Sequence, residues 1–407
     1  MRSPSLLRTG PALAALTAAF AMSQFFRSCL AVMAPELSAD LGLDPAGFGA
    51  LSSAFFLAFG LIQVPVGVAF DRWGVGRPTS VLMALGVAGG LMFSLSHGAA
   101  MATLGQVGLG MACAPVFMGL IHYASEQLEE RRYLRSLSVS NGLGMLGVLC
   151  AASPLGWAVQ HFGWRPAMLV ATGVMAVVCF AVQRTVRDRG HADAHGQSSL
   201  AMLRGSLVLL KVPALWALVP VCLGMASGTA FRNAWGGPYV ADVFGLDPIS
   251  RGSAMTVISF VAFGCAFAMP LAARRFGAQA VIVGTMLGSV LAGLGLMLMP
   301  DVSLGLDLAL LSLLAAAGTL HPVVMTAGRG TVAPALRGRA LGVLNTFVFV
   351  GMAAASAGYG WLARYGMRLG RSPGTVYAGL FGLAVLALLM ALAPFAWSAW
   401  RRRAATA

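Results

Sequence analysis

Charged side chains are scarce in this sequence, and acidic side chains are the scarcest. Only 10% of the 407 residues are charged, and 13 residues are Asp or Glu. A soluble protein of this length could not cover its surface with so few charges. We therefore expect the lipid bilayer to surround most of the chain.

Cysteine is also rare, and its spacing does not suggest a metal site. The six cysteines are scattered through apolar segments and none forms a CxxC motif, which argues against disulfides and zinc. The sequence lacks a G-x-x-x-x-G-K-[ST] loop, so we do not expect ATP hydrolysis. It shows no nucleophile–base–acid set either, and we expect neither an enzyme nor a cofactor.

Basic residues are more numerous, but their positions argue against a nucleic-acid partner. The formal net charge is +14, and most basic residues lie in short segments between apolar runs, as in membrane proteins with a positive cytoplasmic side. Nineteen Lys and Arg residues fall on the side that carries the N-terminus. Five fall on the other side, namely Arg165, Arg251, Arg364, Arg368 and Arg371. Both termini are therefore predicted to be cytoplasmic, and the Arg-rich, Lys-poor composition favours a bacterial inner membrane.

Long apolar runs are what the sequence has in abundance. They are continuous and ~20 residues long, which favours membrane-spanning helices over a β-barrel. The twelve predicted spans are 11–34, 46–70, 78–97, 100–124, 136–159, 165–184, 213–236, 250–272, 279–299, 304–328, 339–362 and 374–397. The first run is too long for a signal-peptide core, so we expect it to be retained.

The two halves of the chain resemble each other. Residues 42–74 return 203 positions later as residues 245–277, and both segments begin with the letters GLDP. Such an internal repeat in an apolar chain is typical of two-bundle transporters. The sequence predicts an all-α membrane protein with twelve transmembrane helices in two six-helix pseudo-symmetric bundles. The bundles are predicted at 1–184 and 213–407, with a cytoplasmic loop at 185–212.

A short motif joins predicted spans 2 and 3. Its residues are Gly67, Asp71, Arg72, Gly74 and Arg77. The segment resembles the G-x-x-x-D-R-x-G-x-x-[RK] loop of the major facilitator superfamily. Gly67 is expected to let helices approach, Asp71 to pair with basic groups, and Gly74 to form a tight turn. The copy in the second half, RRFG at 274–277, lacks the Asp.

The resemblance covers essentially the whole chain and implies a fold and a mode of action. The implied fold is the major facilitator fold, in which the bundles rock to give alternating access to a central cavity. The implied cavity is lined mainly by helices 1, 4, 7 and 10. The protein is then expected to be a monomer in the lipid bilayer that carries a small-molecule substrate.

Two arginines lie inside predicted spans, where an ionisable group usually serves a function. Arg27 is in span 1 and Arg232 is in span 7, and these spans are repeat equivalents. A guanidinium binds carboxylate or phosphate through two parallel hydrogen bonds. The pair resembles the arrangement in organophosphate antiporters and predicts a clamp for an organic anion. The alternative is that each arginine extends to the membrane interface.

Two histidines occupy repeat-equivalent helices, each four residues from a methionine. The pairs are Met118 with His122 in span 4, and His321 with Met325 in span 10. The imidazoles could bind an anion or relay a proton. Together with the methionines they could instead bind Cu(I), as in superfamily copper importers. Ordinary packing is the third interpretation.

Other polar residues complete the predicted site. Tyr123, Asn233, Trp235 and Tyr239 are candidate wall residues. Glu126 is expected to pair with basic groups at the cytoplasmic mouth, and Arg329 to line the inner vestibule or pair with an acidic gate residue. Asn141 and Asn345 are repeat-matched and predict a shared structural role.

The predicted function is secondary active transport of a small organic anion, a carboxylate or a phosphate ester. A proton gradient or counter-exchange would supply the energy. A Cu(I) or soft-metal importer and an efflux carrier for neutral compounds remain as alternatives. Efflux of cationic drugs is disfavoured, because no acidic residue lies deep in a predicted span.

Overall fold

The computed structural model describes residues 6–187, 212–332 and 337–404, and all regular structure in them is helical. The all-α prediction is thereby confirmed for these residues. Of the predicted loop at 185–212, residues 188–211 lie outside the described part of the chain.

Within the described residues, joining helical segments across short breaks gives helices α1 to α12. The first half contains α1 (Leu6–Ser28 and Leu30–Leu41), α2 (Pro45–Trp73), α3 (Gly76–Ser94), α4 (Ala99–Gln127), α5 (Glu130–Cys150 and Ser153–Phe162) and α6 (Trp164–Thr185). The second half contains α7 (Pro213–Trp216, Val219–Ala230, π-helical Phe231–Trp235 and Gly236–Phe244), α8 (Pro248–Phe276), α9 (Ala278–Leu298), α10 (Leu304–Ala316, 3-10 helical Ala317–Leu320 and His321–Arg329), α11 (Arg337–Arg368) and α12 (Pro373–Ala404).

Most of these helices can cross a bilayer. Within the described residues, nine are long and apolar enough, and the bent helix α1 makes ten. Helix α3 and the divided helix α7 do not meet the same criterion. The fold is that of a multi-pass membrane protein.

The internal repeat is visible in matched helix ends. Gly42 and Gly245 end their helices with φ of 63° and 67°, a conformation that glycine adopts without steric cost. Asp44 and Asp247 then cap α2 and α8 by accepting backbone N–H groups at 2.7 Å. The bond from the Ser250 N–H lowers the pKa of the Asp247 carboxyl. Gly74 has φ of 77°, which confirms the predicted tight turn.

Two sequence expectations about helix 1 and the α2–α3 motif need correction. Helix α1 does not end at 34 but bends by 51° at Cys29 and continues to Leu41. Pro35 lies inside this second segment, where its missing N–H leaves the Ala31 carbonyl without its helical hydrogen bond. A Cβ on Gly67 would meet nothing within 4 Å among the described residues, so the expected close approach is not seen there.

The two halves are in close contact at one end. We call this the distal end; it carries the α1–α2, α3–α4, α5–α6, α7–α8, α9–α10 and α11–α12 connections. Helix α2 packs along α11, α5 along α8, and the distal segments of α1 and α7 meet. A Cβ added to Gly237 of α7 would fall on the Ala31 carbonyl of α1, and one on Gly156 of α5 would fall on the Pro248 carbonyl. The distal end is therefore closed by backbone contact.

Candidate functional site

The two predicted arginines lie at matched irregularities in helices α1 and α7. Arg27 is in the last turn before the bend at Cys29, and Arg232 is inside the π-helical segment. At the repeat offset of 203 residues, Cys29 corresponds to Arg232. Departures from α-helical geometry are frequent at functional sites because they reorient side chains.

Arg27 lies against an aromatic stack that joins the two halves. Its guanidinium carbon is 5.6 Å from the ring centroid of Phe59 and 5.1 Å from that of Phe349, within range for cation–π attraction. These two rings stack at 3.8 Å and connect α2 to α11. Arg27 Nη1 donates to Gln24 Oε1 at 2.8 Å, whereas its buried Nε has no hydrogen-bond partner.

Arg232 is close enough to Arg27 for their positive charges to interact. Its Nε donates to Asn233 Oδ1 at 3.2 Å, and Asn233 is itself buried. Arg232 also lines a narrow crevice with Gly228, Phe231, Gly236, Ile258, Leu311 and Leu314. In the described part of the chain neither arginine has an ion-pair partner. Two half-buried cations from opposite halves thus lack an internal counter-ion.

His321 belongs to the same cluster. Its Nε2 lies 2.9 Å from Asn345 Oδ1, a contact that joins α10 to α11. It follows directly after the 3-10 helical segment of α10, and its ring interacts electrostatically with Arg27. The predicted residues Arg27, Arg232, His321, Asn233 and Asn345 are therefore brought together. We call them the central cluster.

His122 has a different environment. Its Nε2 lies 3.0 Å from Glu126 Oε1 one turn later on α4, and both side chains are 33% exposed. The sequence analysis did not name this partner for Glu126. Met118 and Met325 are half-buried on α4 and α10. Among the described residues, no three His, Cys, Asp or Glu side chains gather to hold a metal ion.

The aromatic candidates lie at three separate places. Trp235 packs against Phe48 of α2 and donates its indole N–H to Ser356 Oγ at 3.2 Å. Tyr239 is fully buried within the second half, and its hydroxyl contacts Asp307. Tyr123 is buried on α4. Tyr239 is thus separated from the central cluster by its orientation into the helix packing of its own half.

The remaining candidates are exposed and lie outside the central cluster. Asp71, Arg72 and Arg77 are at the α2–α3 connection, and the Arg72 guanidinium lies 5.3 Å from the ring centroid of Trp73. Arg329 ends α10, and Asn141 is exposed on α5.

A set of ion pairs at the distal end was not expected from the sequence. Glu36 of α1 pairs with Arg251 of α8, and Asp44 pairs with Arg364 of α11 at 3.5 Å. Both pairs join the two halves. Arg165 of α6 pairs with Asp40 inside the first half. The available signal was that these acidic residues fall on the same predicted side as the five arginines there.

Hydrogen bonds reinforce this distal contact. Ser153 of α5 and Thr256 of α8 share a 2.8 Å bond between their hydroxyls, and the Ile249 N–H donates to Gln160 Oε1 at 3.3 Å. Nearer the middle, Thr346 of α11 donates to the Gly60 carbonyl of α2 at 3.1 Å. The halves are held together by polar contacts as well as by close packing.

Comparison with known proteins gives relatives of two kinds, some named as transporters and some as the membrane sensor protein UhpC. The probable L-galactonate transporter of Escherichia coli K12 is 24% identical over 254 residues, covering 59% of this chain and 55% of the relative. The probable galactarate/D-glucarate transporter GudP of the same strain is 23% identical over 197 residues, covering 46% and 43%. The chain thus spans about half the length of these relatives.

A solved structure extends the likeness in fold to nearly the whole chain. The crystal structure of a D-xylose-proton symporter superposes with a TM-score of 0.75 at 12% identity, covering 93% of this chain and 96% of that one. The family model of the Major Facilitator Superfamily matches residues 16–356. The match takes in both halves of the repeat, the α2–α3 motif and the central cluster, and the chain belongs to the Major Facilitator Superfamily.

Proposed function

We propose that the protein is a secondary active transporter for small organic anions, with sugar acids as the leading substrate class. The observation that carries the proposal is the pair Arg27 and Arg232, two neighbouring guanidinium groups from opposite halves without a carboxylate partner among the described residues. Two like charges in a desolvated setting are costly. A bound carboxylate would offset that cost and accept bidentate hydrogen bonds.

The side chains around the two arginines suit a substrate that carries both a charge and hydroxyl groups. Around the guanidinium groups, Gln24, Asn233 and Asn345 supply amide groups, and His321 adds a ring nitrogen. Such groups match the donors and acceptors of a polyhydroxylated acid. The names of two relatives point to the same class, since L-galactonate, galactarate and D-glucarate are sugar acids.

In this proposal the protein acts by alternating access between its two halves. The halves are the predicted bundles at 1–184 and 213–407, which would rock about the central cluster. The distal end would face the periplasm of a bacterial inner membrane, because basic residues are concentrated on the opposite side. A proton or an exchanged anion would supply the energy, and the protein would work as a monomer.

Counterflow in proteoliposomes tests the proposal whichever ion is coupled to transport. Vesicles preloaded with unlabelled L-galactonate are expected to accumulate labelled L-galactonate, and D-glucarate should compete. Neutral D-galactose should not compete, because it brings no charge to the guanidinium pair. Inhibition by a sugar phosphate but not by a sugar acid would move the substrate class to phosphate esters. Equal competition by D-galactose, or no counterflow by any anion, would contradict the proposal.

A further inference from the structure

A buried carboxyl group, Asp307, lies in the first turn of α10 at the distal end. It is fully buried, with 0% exposure, inside the second half. Its Oδ2 is 2.6 Å from the Tyr239 hydroxyl, and its Oδ1 has no hydrogen-bond partner. No cation lies within ion-pair distance of Asp307 in the part of the chain that the structure describes.

The hydrogen bonds around Tyr239 require one more proton than the tyrosine can supply. Its oxygen is within hydrogen-bond distance of both Asp307 Oδ2 and the Pro300 carbonyl. A phenol has one hydrogen to donate, and a backbone carbonyl can only accept. If Tyr239 donates to Pro300, the short contact with Asp307 is a hydrogen bond only when Asp307 carries the hydrogen. The geometry therefore fits a neutral carboxylic acid.

The charged surroundings favour the same protonation state. From the α9–α10 connection, Asp301 presents a negative charge to Asp307. The other nearby groups have partners of their own. Tyr377 of α12 donates to Asp242 of α7 at 2.6 Å, and the charge of Arg251 acts on Asp242. The helix dipole at the start of α10 would favour a carboxylate, but only weakly compared with the cost of burying an unpaired charge.

We propose that Asp307 is a proton-binding site, and that its proton stabilises the closed arrangement of the distal end. The link is the distal segment of α7, Gly236–Phe244. This segment begins after the π-helical turn that holds Arg232, contacts the Ala31 carbonyl through Gly237, and contacts Asp307 through Tyr239. Loss of the proton leaves a buried carboxylate with no cation within ion-pair distance among the described residues, and access to water lowers the cost of that charge. Deprotonation therefore favours displacement of this segment and opening of the distal end.

The site is separate from the central cluster and does not depend on the identity of the substrate. Infrared spectra of the purified full-length protein at neutral pH test whether Asp307 carries a proton. We expect the carbonyl stretch of a neutral carboxylic acid in the wild type, and its loss in Asp307→Asn. The amide can donate to Tyr239 as the acid does, so this variant should fold. Glu129→Gln, which changes an exposed carboxylate on the α4–α5 connection, is the control and should keep the band.

Two further results decide the proposal. A band of equal size in wild type and Asp307→Asn would overturn it. If Asp307→Asn does not fold, Tyr239→Phe serves instead, since loss of the hydroxyl must shift the band of its partner, and an unshifted band would overturn it. The coupling is measured by the rate at which a thiol reagent labels Ser153→Cys, which is half-buried at the α5–α8 contact, in a background without native cysteines. Because thiol reactivity itself rises with pH, the rate is divided at each pH by that of Asp307→Asn with the same reporter, and this ratio should rise severalfold from pH 6 to pH 9. A ratio that stays constant would overturn the coupling.

Discussion

The distal end and the centre of this protein treat their arginines in opposite ways. At the distal end, Arg251 and Arg364 of the second half meet Glu36 and Asp44 of the first. At the centre, the positive charge of Arg232 acts on Arg27, and neither arginine pairs with a carboxylate among the described residues. Internal counter-ions hold one conformation in place, whereas missing counter-ions leave a position for a ligand. The same residue type therefore joins the halves at the distal end, and in the proposed function it binds the substrate at the centre.

The largest effect is expected from giving a central arginine an internal carboxylate partner, as the distal arginines have. Arg232→Glu would place a carboxylate beside Arg27 and supply an internal counter-ion. Removing one partner of a buried charge pair costs about 2–5 kcal/mol, and the like charge that replaces it adds to that cost, so the affinity for L-galactonate should fall by about 100-fold or more in titration calorimetry. Arg368→Glu makes the same charge change on an exposed arginine and should bind normally. Equal losses in both variants would indicate a nonspecific charge effect.

A smaller effect is expected from replacing two tightly packed glycines by alanine, one at a contact between the halves and one at a contact within the first half. Gly237 contacts Ala31 between the halves, whereas Gly147 contacts Ala21 within the first half. Overpacking costs about 1–3 kcal/mol. Gly147→Ala should lower thermal stability, but Gly237→Ala should part the halves and raise distal labelling about tenfold. The reporter is Ser153→Cys, half-buried at the α5–α8 contact, in a background without native cysteines. The comparison fails if both glycine variants lose stability without a change in labelling.

The smallest effect is expected from breaking a distal ion pair. Arg251→Gln removes the partner of Glu36, which is about one-third exposed, so solvent screening reduces the penalty to about 1 kcal/mol. Labelling of the same reporter should rise about fivefold. Arg165→Gln breaks a pair inside one half and should leave the labelling unchanged. A similar rise in the Arg165 variant would show that ion pairing between the halves is not what closes this end.

Features set by local sequence could be predicted, and features set by distant contacts could not. The glycine turns at Gly42 and Gly74 and the aspartate cap of α2 depend on a few neighbouring residues, and the repeat duplicates each of them. The partners Glu36 and Arg251 are 215 positions apart. An apolar run does not reveal which side chain faces which half, so the distal pairs were missed.

The candidate site shows the same limit at the level of single residues. The cost of burying a guanidinium singles out Arg27 and Arg232 from sequence alone. Tyr239 lies on the same helix as Arg232 but turns into the packing of its own half. Helical periodicity cannot resolve that difference here, because the π-helical segment between them shifts the register of the helix faces. The bend at Cys29 likewise changes which residues of α1 share a helix face.

The central claim is that the guanidinium groups of the central cluster bind the charge of the substrate. Its most direct test is the affinity of purified wild-type protein and Arg27→Gln for L-galactonate and for its uncharged lactone. Loss of a charge-assisted bond costs about 1.5–3 kcal/mol. The account predicts that Arg27→Gln weakens L-galactonate binding by about tenfold or more and leaves lactone binding, already much weaker in the wild type, unchanged. Unaltered L-galactonate affinity in a folded Arg27→Gln protein would contradict it.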